Sequence, residues 1–356
     1  MRGAVLKEYG EPLEIEERPD PEIDSDEVLV KTEACGICRS DWHGWQGDYA
    51  WMEGGAVTKG NILGHEPAGT ILEVGDQVEN FREGDQVVVP FNIVCGRCNN
   101  CRDGNAHMCE NILHYGFDDD AQPGAFCTHL CVPNADFNLA RIPDGISAHE
   151  MAGLGCRFVT SYHAMADRAN INTGDYVAVH GCGGIGLSAV NVATALGANV
   201  IAVDLDDDKL SLAEEMGAVE TVHGGNIDDV PGEIHDITDG GAEVSVDALG
   251  IRETCLNSVN SISTPGTHVQ IGITTSEEEG RIDFPIDKML HAEQDIITAK
   301  GFQPHRYEEI FRLMEHDKIQ PEKLVTKHVE LDDINDRLEA MTNFETKGVE
   351  VITDFE

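Results

Sequence analysis

Positive charge is scarce in this sequence. Its 356 residues carry 24 lysines and arginines against 66 aspartates and glutamates, a formal net charge of −42. Nucleic acid is excluded as a partner, because phosphate backbones are bound through clustered cations. Long apolar runs are missing as well. No stretch approaches the roughly 18 consecutive apolar residues of a membrane span, so no membrane partner is expected. The opening residues, MRGAVLKEYGEPLEIEERP, lack a basic start followed by an apolar run, and a cytoplasmic protein is expected. No internal repeat or low-complexity segment stands out.

The hydrophobic fraction, 41%, is that of an ordinary globular protein, and the length calls for two domains, each with its own core. Such an acidic chain repels itself in dilute buffer and is tolerable where salt screens charge over about 3 Å at 1 M. A salt-adapted protein, as from a halophile, is expected. The runs Asp118 to Asp120 and Asp206 to Asp208 read as solvated surface.

Eleven cysteines in a long chain of this kind point to metal binding rather than to a disulfide scaffold. Cys95, Cys98, Cys101 and Cys109 follow C-x2-C-x2-C-x7-C in a polar loop. Four thiolates suit tetrahedral zinc or iron. A ferredoxin-like cluster would place three residues before the last cysteine and a proline after it. Here seven intervene and Glu110 follows, so a closed, structural zinc site is preferred.

A second set of soft ligands lies in GICRSDWH, LGHEPAG and GLGCRFVTSY, which offer Cys38, His65 and Cys156. Two cysteines and one histidine leave zinc an open position, where an alcohol can bind and lose its proton. Glu66, next to His65, can exchange with water as a ligand. Cys35, Cys127, Cys131, Cys182 and Cys255 read as buried small hydrophobes.

Up to about Leu154 short valine-rich runs, such as 27–31 and 85–90, alternate with glycine and proline, a mostly-β pattern. From about Asp175 strands alternate with helical periods, a βαβ pattern that implies a parallel sheet. Strands are expected at 176–180, 200–204, 244–247, 268–272 and 296–299, and one clear helix, 306–315, in the tail. GCGGIG at 181–186 follows the first of these strands and opens a periodic helix, as a dinucleotide fingerprint requires. Gly181 permits the tight turn, Gly183 lets the backbone approach a pyrophosphate, and Gly186 allows close helix packing, with Gly184 counted among the cofactor-binding residues. Asp204 ends the next strand, where its carboxylate can hold the adenosine ribose and repel a 2′-phosphate, favouring NAD over NADP.

These motifs, in this order and over nearly the whole chain, resemble the zinc-containing alcohol dehydrogenases of the medium-chain dehydrogenase/reductase superfamily. The resemblance implies an α/β fold, with a GroES-like mostly-β catalytic domain (1–157 and 295–356, both zinc sites) and a doubly wound Rossmann domain (158–294). It implies two zinc ions per chain, NAD with NADP as the alternative, and hydride transfer between an alcohol and an aldehyde or ketone. Cys38, His65 and Cys156 match the catalytic zinc ligands and Glu66 the nearby glutamate. Ser40 matches the hydroxyl that takes the alcohol proton and passes it, through the cofactor ribose, to a histidine matching His43. Arg39 and Arg306 resemble positions that pair with the pyrophosphate, although the spacing around Arg306 departs from the relatives. Lys209 matches a lysine near the ribose, and Phe91 a wall of the substrate pocket. Trp45, Tyr49 and Trp51 add aromatic surface, with core packing the alternative, and Asp41 reads as structural. A homotetramer is usual among similar microbial enzymes, with a dimer as the alternative. A polyol or sugar dehydrogenase is the main rival activity, and a zinc-stabilised nucleotide sensor without turnover the remote one.

Overall fold

The computed structural model describes residues 1–51, 56–118, 123–275 and 277–356. Asp119 and Asp120 of the first acidic run, and the side chain of Trp51, lie outside the described residues. The chain divides into two compact units, one of Met1–Cys156, Gly301–Glu315 and Val325–Glu356, the other of Arg157–Lys300 and His316–Leu324. The fold class is the expected one, a mostly-β unit and a parallel α/β unit.

The first unit is organised by the strand Val28–Ile37. It pairs antiparallel with Glu66–Val74, His129–Val132 and Val349–Asp354 within a seven-stranded sheet. Its burial alternates over the first residues and then becomes continuous from Ala34 to Ile37. That change of pattern marks a strand that leaves a one-sided sheet for the interior. The core beneath holds Leu6, Val30, Ile37, Leu63, Phe126 and Ile352. Beyond the expected helix, found as Tyr307–Glu315, the tail contains the helix Ile334–Thr342 and the strands Val325–Glu330 and Val349–Asp354. The first of these strands is mostly exposed, so its sequence carries no alternating signal, and it exists through its parallel pairing with the second.

The second unit carries six parallel strands in the order Glu220–His223, Asn199–Asp204, Tyr176–His180, Ala242–Asp247, Ile262–Gln270, Asp295–Thr298. Val177, Ala178, Val179, Val200, Ile201 and Ala202 are all completely buried, the continuous apolar run expected of strands covered on both faces. The order reverses at Tyr176–His180, and the residues beyond its carboxyl end therefore occupy the switch point where nucleotides bind in such sheets. Asp295–Thr298 pairs with Ile262–Gln270, which carries this unit past the expected boundary at 294 to Lys300.

Ile201, completely buried among Ala178, Val203, Val222 and Ile234, tests the core. Ile201→Ala is expected to cost about 2–5 kcal/mol through lost burial and a residual cavity. A urea unfolding curve with an unmoved midpoint would refute that packing.

Candidate active site

The open metal site grows out of strand register. Gly36 lies opposite Glu66 in the antiparallel pair, so Cys38, just past the end of one strand, and His65, just before the start of the other, meet at the same edge. Cys156 reaches them because Gly155 has no side chain: a Cβ there would stand 2.5 Å from the side chain of Glu66. The ligand atoms of Cys38, His65, Glu66 and Cys156 all lie within 4.8 Å of one another.

Asp41 orients this set. It occupies the first turn of the helix Arg39–Gln46, whose N-cap is Cys38, and is completely buried. Its carboxylate accepts from the backbone N–H of Cys38 (2.9 Å), from that of Gly64 (3.2 Å) and from Nδ1 of His65 (2.7 Å). Nε2 of His65 is buried with no hydrogen-bond partner. A carboxylate on one ring nitrogen and no hydrogen-bond partner on the other is the arrangement of a metal-ligating histidine. Two thiols, this Nε2 and the Glu66 carboxylate therefore fit zinc. Burial alone would push the imidazole down, but Asp41 and then the Cys38 thiol hold it well above its usual value. Phe91, expected as a wall of the substrate pocket, and Phe117 stand edge-on to the His65 ring at 6.1 and 5.1 Å. Trp45 belongs to the core, with its indole N–H on the Glu11 carbonyl at 2.6 Å.

The helix Arg39–Gln46 also carries Ser40 and His43. Nδ1 of His43 is 2.8 Å from Asp48, and its ring lies 5.5 Å from that of Tyr49. Burial pushes the His43 imidazole below its usual value, against the pull of Asp48. Burial pushes the Tyr49 phenol up, and a hydrogen bond from Ser40 opposes it. Arg39 donates to the Met341 carbonyl and lies over the rings of Trp42 (3.7 Å) and Phe344 (4.9 Å). Arg306 is paired with Glu309. Tyr307, fully buried, has its phenol pushed up by burial, reinforced by Glu66 and Cys156.

In the loop 95–109 the sulfurs of Cys98 and Cys101, and of Cys109 and Cys95, are 3.5 Å apart, with Cys98 to Cys109 at 3.9 Å. Zinc–sulfur bonds of about 2.3 Å place tetrahedral sulfurs about 3.8 Å apart, and these thiols fit that metal. The Arg97 backbone N–H pulls the Cys95 thiol down to about 6, whereas burial pushes Cys101 up to about 12. Backbone N–H groups of Cys95 and Asn111 each donate to Cys109 Sγ at 3.3 Å, support for a thiolate.

In the second unit Gly181 has φ +92°, a left-handed turn, and a Cβ on Gly186 would meet the Gly181 carbonyl at 1.8 Å. Only glycine fits there. Nothing stands within 4 Å of a Cβ built on Gly183, which is the N-cap of Gly184–Ala195 and gives it no side-chain cap. The amides of that first turn are thus available to a phosphate. Asp204 is fixed by the backbone N–H groups of Cys182 (2.6 Å), Leu205 (2.8 Å) and Asp206 (3.1 Å). Asp206 itself caps the helix Asp207–Glu215, in whose first turn Lys209 sits.

Asp41 as orienter, Asp48, Tyr307 and Arg157, whose side chain lies against Gly184, are additions to the residues the sequence singled out. For Asp41 a signal existed: an acidic residue three positions after an N-cap can bond back to it.

Residues 24–144 match the family described as alcohol dehydrogenase GroES-like domain, and residues 184–316 the family described as zinc-binding dehydrogenase. An alcohol dehydrogenase of Geobacillus stearothermophilus is 31% identical over 98% of this chain and 97% of its own length. An NAD-dependent alcohol dehydrogenase of Sulfurisphaera tokodaii is 32% identical over 99% of both chains. A sorbitol dehydrogenase of Bacillus subtilis is also 32% identical, over 99% of this chain and 96% of its own. The solved structure of the alcohol dehydrogenase TADH from Thermus sp. ATN1 is similar to this chain with a TM-score of 0.90, at 26% identity and full coverage of both chains.

Asp41→Asn keeps the shape of the orienter and removes its charge. Zinc affinity at the open site is expected to fall about 10- to 100-fold, while the four-cysteine site keeps its metal. Chelator titration monitored by metal analysis would show two release phases drawn apart; coincident, unshifted phases would refute the role of Asp41.

Proposed function

This chain belongs to the zinc-binding alcohol dehydrogenase family, and we propose how its own residues divide the work of that chemistry. It is a zinc-dependent oxidoreductase that acts on alcohols with a nicotinamide cofactor, so the reading as a sensor without turnover falls away. The observation that carries the proposal is the convergence of Cys38, His65, Glu66 and Cys156 around a histidine nitrogen with no other partner.

Zinc held by Cys38, His65 and Cys156 supplies the Lewis acidity that makes an alcohol hydroxyl easier to deprotonate, and NAD supplies the hydride acceptor. Glu66 completes the donor set. Ser40, which can accept and donate, takes the alcohol proton, and His43 receives it as the terminal base. Phe91 walls the substrate pocket. The backbone N–H groups after Gly183 hold the pyrophosphate, and Asp204 accepts from the ribose hydroxyls with Lys209 nearby. That carboxylate would repel a 2′-phosphate, which favours NAD over NADP. Arg39 and Arg306 are offered as cationic contacts to the pyrophosphate; the Arg39 fork has five N–H donors, more than the Met341 carbonyl uses. Cys95, Cys98, Cys101 and Cys109 hold the second, structural zinc, a site with no coordination position left for substrate.

The net charge of −42 supports function in strong salt, as in a halophile's cytoplasm. No described helix is long and apolar enough to cross a membrane. A homotetramer is proposed over a dimer; the exposed Ile286, Leu290 and Ile296, the last on the outermost strand of the parallel sheet, support association through apolar surface. The identity to a sorbitol dehydrogenase favours polyol oxidation as the second reading.

A panel of primary, secondary and polyhydric alcohols, assayed by NADH absorbance in about 1 M KCl, where charge is screened over about 3 Å, separates the two activities. Simple alcohols are expected to be turned over faster; exclusive turnover of polyols would replace the first reading with the second. Ser40→Ala should lower kcat by about 100-fold or more while zinc content and NAD affinity stay near the parent's. Unchanged turnover would remove Ser40 from the mechanism.

A further inference from the structure

Arg157 has no part in the division of labour above, yet it is a cation only 6% exposed in a chain where cations are scarce. It belongs to the same compact unit as the fingerprint 181–186 and packs directly on it. A Cβ built on Gly184 would stand 2.5 Å from Cδ of Arg157 and 3.4 Å from both Nε and Nη1. Gly184 is the first residue of the helix Gly184–Ala195, so the side chain it lacks is what admits the guanidinium to the start of that helix. The placement is held from a second point. Ser161, completely buried and four residues further along the helix Cys156–Tyr162, donates to the Ile185 carbonyl at 2.9 Å. Residues four apart share one face of a helix, and this face lies on Gly184 and Ile185.

A guanidinium is electrostatically misplaced at a helix start. The free N–H groups there amount to about half a positive charge, and cations are stabilised at the opposite end. Burial adds to the penalty by removing water from the charge. In a chain with 66 acidic residues, this cation nevertheless stands beside amides that themselves call for an anion. Next to it, a Cβ on Gly183 would meet nothing within 4 Å, so the backbone is open to a ligand at that point. A pyrophosphate, with two negative charges on adjacent phosphorus atoms, answers the amides and the guanidinium together.

We propose that Arg157 is a cofactor-binding residue: its guanidinium contacts the pyrophosphate of the nicotinamide dinucleotide that the amides after Gly183 cradle. The proposal rests on the reading of 181–186 as the pyrophosphate site given above. Arg39 and Arg306, the cations offered there, both belong to the other unit. Each also has protein partners, the Met341 carbonyl and two aromatic rings for Arg39 and Glu309 for Arg306. Arg157 brings a full charge to the unit that carries the fingerprint. Its planar fork has five N–H donors, enough to serve a phosphate oxygen while keeping contacts within the protein. The amides fix where the pyrophosphate lies, and the guanidinium adds a charge-assisted hydrogen bond, which corresponds to about 10- to 100-fold in affinity.

The test uses the zinc-loaded enzyme as parent, Arg157→Gln and Arg157→Lys, titrated calorimetrically with NAD, ADP-ribose and adenosine. About 1 M KCl is used, so that charge is screened over about 3 Å and only direct contacts register. Arg157→Gln is expected to weaken NAD and ADP-ribose, which both carry the pyrophosphate, about 10- to 100-fold and to leave adenosine within about twofold of the parent. Arg157→Lys, which keeps the charge without the fork, should bind NAD more tightly than Arg157→Gln. In steady-state assays KM for NAD should rise while kcat falls no more than about twofold, because the pyrophosphate does not react and its contacts are the same in ground and transition states. Unchanged affinity for NAD and ADP-ribose, an equal loss for adenosine, or a loss confined to kcat would overturn the proposal, the second of these by showing that Arg157 only shapes the loop. A parent that bound neither NAD nor ADP-ribose would overturn the reading of 181–186 and the proposal with it, an outcome distinct from a parent that binds both and an Arg157→Gln variant that binds them equally well.

Discussion

A single buried carboxylate holds the metal site together. Asp41 is completely buried and spends its acceptor capacity on two backbone N–H groups and one imidazole. Those partners come from two segments, the start of the helix Arg39–Gln46 and the loop entering Glu66–Val74. An uncompensated charge at this depth would cost several kcal/mol, so the segments are tied to one geometry. Cys38 and His65, the proposed ligands, inherit that geometry, and so do Ser40 and His43, the proposed proton path, on the same helix. The helix is also anchored at its outer face, where Trp42 donates to Thr342 and Arg39 lies between Trp42 and Phe344.

Carboxylate on imidazole occurs twice within this short region, with different consequences. At His65 the second nitrogen is buried without a partner, and the ring is suited to a metal. At His43, whose side chain is 10% exposed, the same pairing suits a ring proposed to take a proton. Environment rather than residue type separates the two roles. The four-cysteine loop is a third kind of site. Its sulfurs are packed over a small apolar cluster of Val94 and Ala106, at a spacing that fits a metal ion.

The acidic excess stands apart from these sites. The candidate-site carboxylates Asp41, Glu66 and Asp204 are each engaged by N–H donors or grouped with candidate metal ligands, whereas much of the remaining acid, such as Asp207 and Asp208, lies at the surface. A high net charge can therefore accumulate there without altering the chemistry, provided the solvent screens it.

Much of this protein was legible in its sequence. The four cysteines are close in the chain, so their spacing already limits how their sulfurs can be arranged, and the glycines of 181–186 are dictated by a local turn and a helix start. The central strands of the parallel sheet carry continuous apolar runs. The net charge needs no structure at all. Tertiary structure decided what depends on distant segments meeting in register: that Cys156 joins Cys38 and His65, that Val325–Glu330 is a strand, and that Asp295–Thr298 belongs to the parallel sheet. It also set Asp41 and Asp48 against imidazole rings. An aspartate in the sequence is equally a cap, a surface charge or an orienter of histidine. Which of these it becomes depends on the imidazole that the folded chain brings within hydrogen-bond distance, and on how much water is left between them.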